Sequence, residues 1–300
     1  MRTDVEFPSE GCTLRGWLYR PANGYDDRPA IVMAHGLSCV KEQYLDRYAE
    51  VFATAGFGVL VYDHANFGAS DGAPRQEVDP VLQRRGYRDA ISFAQTVPWV
   101  DPTRIGIWGT SFSGGHVIEI GATDRRVKCV VSQVPTISGY QSALRRTRAD
   151  LVPALIARFE ADRAARYRGE APMMLPAVSD DPTVACAMGG PDSFDFFTET
   201  RPVAPGWRNE ITLRSAELAR ENEPGIYITR ISPTPFLMIV AEKDVLTATD
   251  LCLSAYQQAL PPKRLVTIPG GHFDPYVRQF DRTSGAARDW FAEHLYASNR

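Results

Sequence analysis

Six short apolar runs, at residues 30–34, 58–62, 104–108, 127–132, 235–241 and 264–268, recur along this chain with helical stretches between most of them. Such runs are uninterrupted rather than alternating, so each reads as a strand buried on both faces, as in a parallel sheet covered by helices. Tyr44, Leu45, Tyr48, Val51 and Phe52 fall at helical spacing, with Gly56 as a stop signal. Asp79-Pro80 opens a second helix, and residues 286–296 form a terminal one whose buried face carries Trp290, Phe291 and Leu295. Strands alternating with helices through right-handed crossovers predict an α/β protein with a doubly wound, mostly parallel sheet. A β-hairpin is expected ahead of it, with residues 5–7 and 13–19 as arms around Ser9-Glu10-Gly11.

One interval breaks the rhythm. About a hundred residues separate the runs at 127–132 and 235–241, and none of them makes a strand-like run. Residues 142–168 read as a helix with an apolar stripe of Leu151, Leu155, Ile156 and Phe159. It also carries Arg145, Arg146, Arg148, Arg158, Arg163, Arg166 and Arg168. These arginines read as a solvated face, with carboxylate binding as the alternative. An insertion of this length predicts a helical lid, dividing the chain into a core of 1–134, a lid of 135–230 and the rest of the core at 231–300. Phe194, Phe196, Phe197 and Trp207 are candidate linings of an apolar pocket, core packing being the alternative.

Chemistry is suggested by GTSFSGG at residues 109–115, where a strand turns sharply into a helix. A serine needs a histidine to take its proton and a carboxylate to orient that histidine. Ser111 and Ser113 both have small neighbours, but Ser111 stands at the strand's C-terminal end, where open α/β sheets place their chemistry. After the 235–241 run comes Asp244, and after the 264–268 run comes His272, so both should project toward the same edge. Glu242 and Asp274 are rival carboxylates, and His35, His64, His116 and His294 read as structural. Two backbone N–H groups should face the developing negative charge: Phe112, after the nucleophile, and Leu37, in the AHGLSCVKE loop.

Other function classes find little support. A formal net charge of −3 gives no general attraction to nucleic acid or anionic membrane. Five cysteines are scattered without CxxC spacing, which suits reduced cytosolic thiols better than disulfides or zinc; Cys39 is the one expected to line a pocket. The N-terminal stretch has no apolar h-region and reads as lacking a signal peptide, and no run is long enough to span a bilayer.

HGL, GTSFSGG, EKD and GGHFD occur in an order that resembles the α/β-hydrolase superfamily over nearly the whole chain. YDHANFGASDG, IGIWGTSFSGGHV and GGHFDPY are similar to its dienelactone-hydrolase-like and polyketide transferase (thiohydrolase) branch. The resemblance implies Ser111 as nucleophile, His272 as base, Asp244 as acid, and Leu37 and Phe112 as oxyanion donors. It implies ester or thioester substrates and, in some members, acyl transfer to an alcohol. Two departures stand out: Ala65 where arginine is expected, and Ser113 where glycine is commoner. The nucleophile is also serine, whereas dienelactone hydrolases proper use cysteine.

The expected protein is a cytoplasmic serine hydrolase of a small-molecule ester or thioester, using no metal or organic cofactor. Nucleic acid and membrane are not expected as partners, while a homodimer is left open. The alternatives are an acyltransferase with the same triad and a non-catalytic binding protein. A peptidase is disfavoured because X-prolyl peptidases with a similar core add a C-terminal β domain, whereas here the helix after His272 is the last element.

Overall fold

The computed structural model describes residues 1–22 and 26–296. Strands β1 (Arg2–Ser9) and β2 (Cys12–Tyr19) form the expected hairpin, paired antiparallel from Arg2↔Tyr19 to Ser9↔Cys12. Gly11 takes φ +82° in its turn, a conformation that favours glycine. The chain then alternates through β3 (Arg28–Ala34), α1 (Leu45–Thr54), β4 (Gly58–Tyr62), α2 (Pro80–Thr96), β5 (Val100–Thr110), α3 (Phe112–Thr123) and β6 (Val127–Gln133). In the interval that breaks the rhythm lie α4 (Gly139–Arg146), α5 (Val152–Tyr167), β7 (Met174–Leu175), α6 (Pro191–Thr200), β8 (Ile211–Thr212) and α7 (Leu213–Glu221). Alternation resumes with β9 (Phe236–Ala241), α8 (Thr249–Gln258), β10 (Lys263–Ile268) and α9 (Phe280–Leu295).

The main sheet has eight strands in the order β1-β2-β4-β3-β5-β6-β9-β10. Every pairing from β4 to β10 is parallel. Period-two alternation divides the core. Ile31 and Met33 of β3 pack with Tyr48 and Phe52 of α1 and Phe291 of α9. Val32 and Ala34 join Tyr87 and Ile91 of α2 and Val117 of α3 on the other face. The apolar side chains of both layers are buried, each large one contributing roughly 1.5–3 kcal/mol. Strands β3 and β5 are neighbours, and the connection from β3 runs to β4 on one side while that from β5 runs to β6 on the other. Such a switch in direction is where open α/β sheets bind ligands, outside the C-terminal ends of the strands.

Four sequence expectations change. The helix expected over 142–168 is two helices, because a 3-10 turn (Ala149–Leu151) intervenes and α5 restarts with Pro153, which has no N–H to continue a helix, in its first turn. The buried face of α5 is Phe159, Asp162 and Ala165, while Leu151 and Ile156 are exposed. The interval also contains the two-residue strands β7 and β8, paired antiparallel and too short to show alternation. Finally, α9 starts at Phe280, ahead of the expected residue 286.

Candidate active site

Ser111 joins β5 to α3 with φ +57° and ψ −116°. A non-glycine residue held there costs about 1–3 kcal/mol, so the surroundings must enforce it. Its N–H donates to the Gln133 carbonyl at 2.8 Å, and its own carbonyl accepts from Thr136 N–H at 3.0 Å. Small neighbours let the turn close: a Cβ on Gly109 would collide with the Ser113 carbonyl oxygen, and one on Gly115 would lie 2.6 Å from that of Thr136. Gly36 faces the serine directly, its hypothetical Cβ only 2.9 Å from Ser111 Cβ.

The parallel sheet delivers the other two groups to the same edge. Asp244 follows β9 and His272 follows β10, and both are buried. Asp244 Oδ1 accepts from the backbone N–H groups of Leu246 (2.9 Å) and Thr247 (3.0 Å), while Oδ2 accepts from Thr247 Oγ1 at 2.8 Å. Oδ2 lies 2.7 Å from His272 Nδ1. A carboxylate can only accept, so Nδ1 donates and Nε2 is left to accept from Ser111 Oγ at 2.9 Å. Burial alone would push the Asp244 carboxyl up, but the His272 ring and the Thr247 donors outweigh it and hold the carboxyl below its ordinary value.

A cavity of about 40 Å³ lies beside Ser111 and His272. Leu37 and Phe112 line it, together with Thr136, Gly139, Ser142, Arg146, Met188, Ala219, Leu246 and Thr247. Phe112 is the first residue of α3, and first-turn N–H groups have no acceptor within their helix. Half of the twelve lining residues come from 135–230. The sequence pointed to Leu37 and Phe112 through their neighbours, whereas Met188, Ala219 and Leu246 carry no local signal and reach the cavity by tertiary packing.

The remaining candidates lie elsewhere. Phe194, Phe196, Phe197 and Trp207 do not line this cavity and sit in or against the hydrophobic core. Phe196 stacks on Phe273 with centroids 4.6 Å apart, and Phe197 stacks on Trp207 at 5.0 Å. Phe273 follows His272, so these rings buttress the histidine loop from behind. Cys39 is half-buried outside the cavity, and Ala65 is buried in the core. Glu242 is exposed, and Asp274 turns its Oδ2 to Gly271 N–H. His35, His64 and His116 form a buried edge-to-face array whose burial pushes all three rings below their ordinary pKa. His294 packs on Trp290 in α9.

Fold and site together define an α/β hydrolase. The chain belongs to the X-Pro dipeptidyl-peptidase (S15) family of that superfamily, whose sequence model matches residues 10–177. Over a longer span it is similar to a thiohydrolase of Eupenicillium brefeldianum, with 33% identity over 279 residues covering 91% of this chain and 88% of the relative. It is 30% identical over 300 residues to a polyketide transferase of a Penicillium species, covering 98% of this chain and 97% of that protein. The crystal structure of the α/β hydrolase GrgF from Penicillium sp. sh18 superposes with a TM-score of 0.85 at 28% identity, covering 99% of each chain.

Proposed function

We propose that the protein is a serine hydrolase that cleaves a carboxylic ester or thioester through an acyl-enzyme on Ser111, His272 and Asp244. The observation that carries this reading is the continuous chain from Ser111 Oγ through both His272 nitrogens to Asp244, with contacts of 2.9 and 2.7 Å. As Oγ attacks the substrate carbonyl carbon, His272 Nε2 takes its proton, and Asp244 stabilises the imidazolium without itself being protonated. The Leu37 and Phe112 N–H groups hold the resulting oxyanion, each worth roughly 3 kcal/mol of barrier. Collapse breaks the bond to the alcohol or thiol, which leaves with the proton from Nε2. His272 then deprotonates a water that attacks the acyl-enzyme, releasing the acid and restoring Ser111.

Residues 135–230 act as the lid in this reading, supported by their share of the cavity wall. A cytosolic location is part of the proposal, in keeping with five unpaired cysteines. Among the described residues no helix is long and apolar enough to cross a membrane. The relatives named thiohydrolase favour cleavage, and the one named polyketide transferase favours a second reading in which an alcohol replaces water. Hydrolysis leads because water needs no binding site of its own, whereas an acceptor alcohol must be held with its hydroxyl beside His272. The test is fluorophosphonate labelling, followed by turnover of ester and thioester panels with rising concentrations of varied alcohols. Saturable, structure-selective transfer at millimolar alcohol or below would favour the transferase, and no labelling or turnover would overturn both readings.

A further inference from the structure

Arginines in the insertion are mostly neutralised. Arg145 pairs with Asp250, Arg148 with Asp150, Arg163 with Glu217, Arg166 with Asp162 and Arg168 with Glu170. These are the solvated or paired roles that a charge-rich helix suggests. Arg146 differs. It lines the cavity that holds Ser111 and His272, and among the described residues its hydrogen bonds run only to the backbone carbonyls of Ser142 (3.2 Å) and Ala187 (3.1 Å). Among the described residues no carboxylate lies within salt-bridge distance of it.

A second guanidinium lies on α7, which packs against α4. Arg220 occupies the last turn of α7, directly after the cavity-lining Ala219. Among the described residues its buried Nη1 has no hydrogen-bond partner and no carboxylate pairs with it. Arg146 is exposed as a residue, with part of its side chain against the cavity. Desolvation on that side lowers its pKa, with Asp244 acting against the shift and Arg220, the weakest of these influences, acting with it. A cavity-lining guanidinium with no carboxylate, and a buried unpaired guanidinium nitrogen on the neighbouring helix, form an arrangement that an anion relieves. Guanidinium groups suit planar carboxylates and phosphates because their forked donors match those oxygens.

We propose that Arg146 and Arg220 form an anion subsite at the Ser111 cavity, and that it holds a carboxylate or phosphate group of the substrate. This rests on the acyl-enzyme reading above and narrows its substrate class to anionic esters or thioesters. The anion comes from one of two places: an acyl chain with a terminal carboxylate, or a leaving group that carries phosphate.

Two matched pairs of thioesters separate these sources. S-glutaryl and S-pentanoyl N-acetylcysteamine differ at the acyl end, while acetyl-coenzyme A and S-acetyl-N-acetylcysteamine differ at the leaving group. The expected result is that Arg146→Gln, Arg220→Gln and the double variant lower the anionic-to-neutral ratio of kcat/KM by about tenfold or more in one pair. The pair that responds identifies the source, and the neutral member reports any general damage to folding or chemistry. Ratios that stay constant in both pairs overturn the subsite.

Binding provides a readout that does not depend on turnover. Glutarate and coenzyme A are titrated calorimetrically into Ser111→Ala protein with and without the two glutamine substitutions. Binding of at least one probe that the substitutions weaken supports the subsite even if no thioester is cleaved, in which case only the acyl-enzyme reading fails. No binding of either probe, or binding that the glutamine variants retain, overturns the subsite.

Discussion

Two serine–histidine pairs lie side by side in this molecule with the same separation. Ser111 Oγ is 2.9 Å from His272 Nε2, and Ser113 Oγ is 2.9 Å from His64 Nε2. Their surroundings set them apart. His272 gives its other nitrogen to a carboxylate and its serine lines a cavity, whereas among the described residues His64 Nδ1 has no partner, and Ser113 is sealed from solvent. Ser113 Oγ donates to the His35 carbonyl at 2.5 Å, so its hydroxyl accepts from His64 Nε2–H and has no base to surrender its proton to. Burial, then the neighbouring His35 and His116 rings, keeps His64 well below the ordinary histidine range and therefore neutral. A hydrogen-bonded pair becomes a candidate for catalysis through orientation, a charge partner and access, and short distance supplies none of these.

The comparison breaks most sharply at the serines. Ser111→Ala should lower kcat on the order of 10⁶-fold and abolish fluorophosphonate labelling. Complete loss in Ser113→Ala, with labelling retained in Ser111→Ala, would exchange the roles of the two pairs.

Asp244→Asn comes next, with an expected loss of about 10⁴-fold in kcat, because the amide mis-sets the imidazole tautomer and cannot stabilise its charge. Near-normal turnover alongside an inactive Glu242→Gln would move the acid to Glu242. The same carboxyl predicts a pH effect. Its pKa is lower in the folded state, so its contribution to stability is fully present above the unfolded value of about 4 and is lost as pH falls through the folded one. Denaturant titrations should therefore show the stability gap between wild type and Asp244→Asn narrowing on acidification; a gap that widens contradicts the assignment.

Ser113→Ala should have a smaller effect of another kind. It removes the tie between α3 and the His35 carbonyl, next to the loop carrying Leu37, and leaves buried polar groups unpaired at roughly 1–3 kcal/mol of stability. Labelling should persist, with kcat reduced by about tenfold at most and KM little changed. A KM effect without a kcat effect would mean that Ser113 does not position the loop proposed to carry an oxyanion donor.

The smallest effects distinguish wall from buttress. Met188 lines the cavity, and Met188→Ala should shift the preferred acyl length by a few-fold, at ~25 cal/mol for each Å² of apolar surface that the acyl chain no longer buries. Phe196 instead packs behind His272 through Phe273, so Phe196→Ala should reduce kcat/KM by a similar factor at every acyl length. A length-dependent response from Phe196 would restore it to the pocket wall and show that the region around α6 moves when substrate binds.

The strands were legible because burial on both faces leaves a run of apolar residues with no polar alternation. Gly58–Tyr62 spans the same residues in sequence and structure, and the other core strands differ only at their ends. The triad candidates were legible for a related reason. In a parallel sheet every strand's C-terminal end meets the same edge, so Ser111, Asp244 and His272 needed only their places after three strands. The insertion was harder to read. Its aromatic cluster was as suited to core as to pocket, and which one it formed depended on where Phe273 and Tyr276 lay.

By itself, the sequence determined the layered α/β architecture, the elbow at Ser111 and the order in which the candidate nucleophile, acid and base arrive at the sheet's edge. These follow from periodicity and steric demand within a few residues, which any chain segment carries with it. Only the tertiary structure decided that Ser113 meets His64 rather than a general base, that Met188 and Leu246 wall the cavity, and that Arg146 and Arg220 lack the carboxylates their neighbours have. Each of these outcomes depends on groups brought together from distant parts of the chain, and local pattern does not encode which of many equivalent side chains will be the one left facing the cavity.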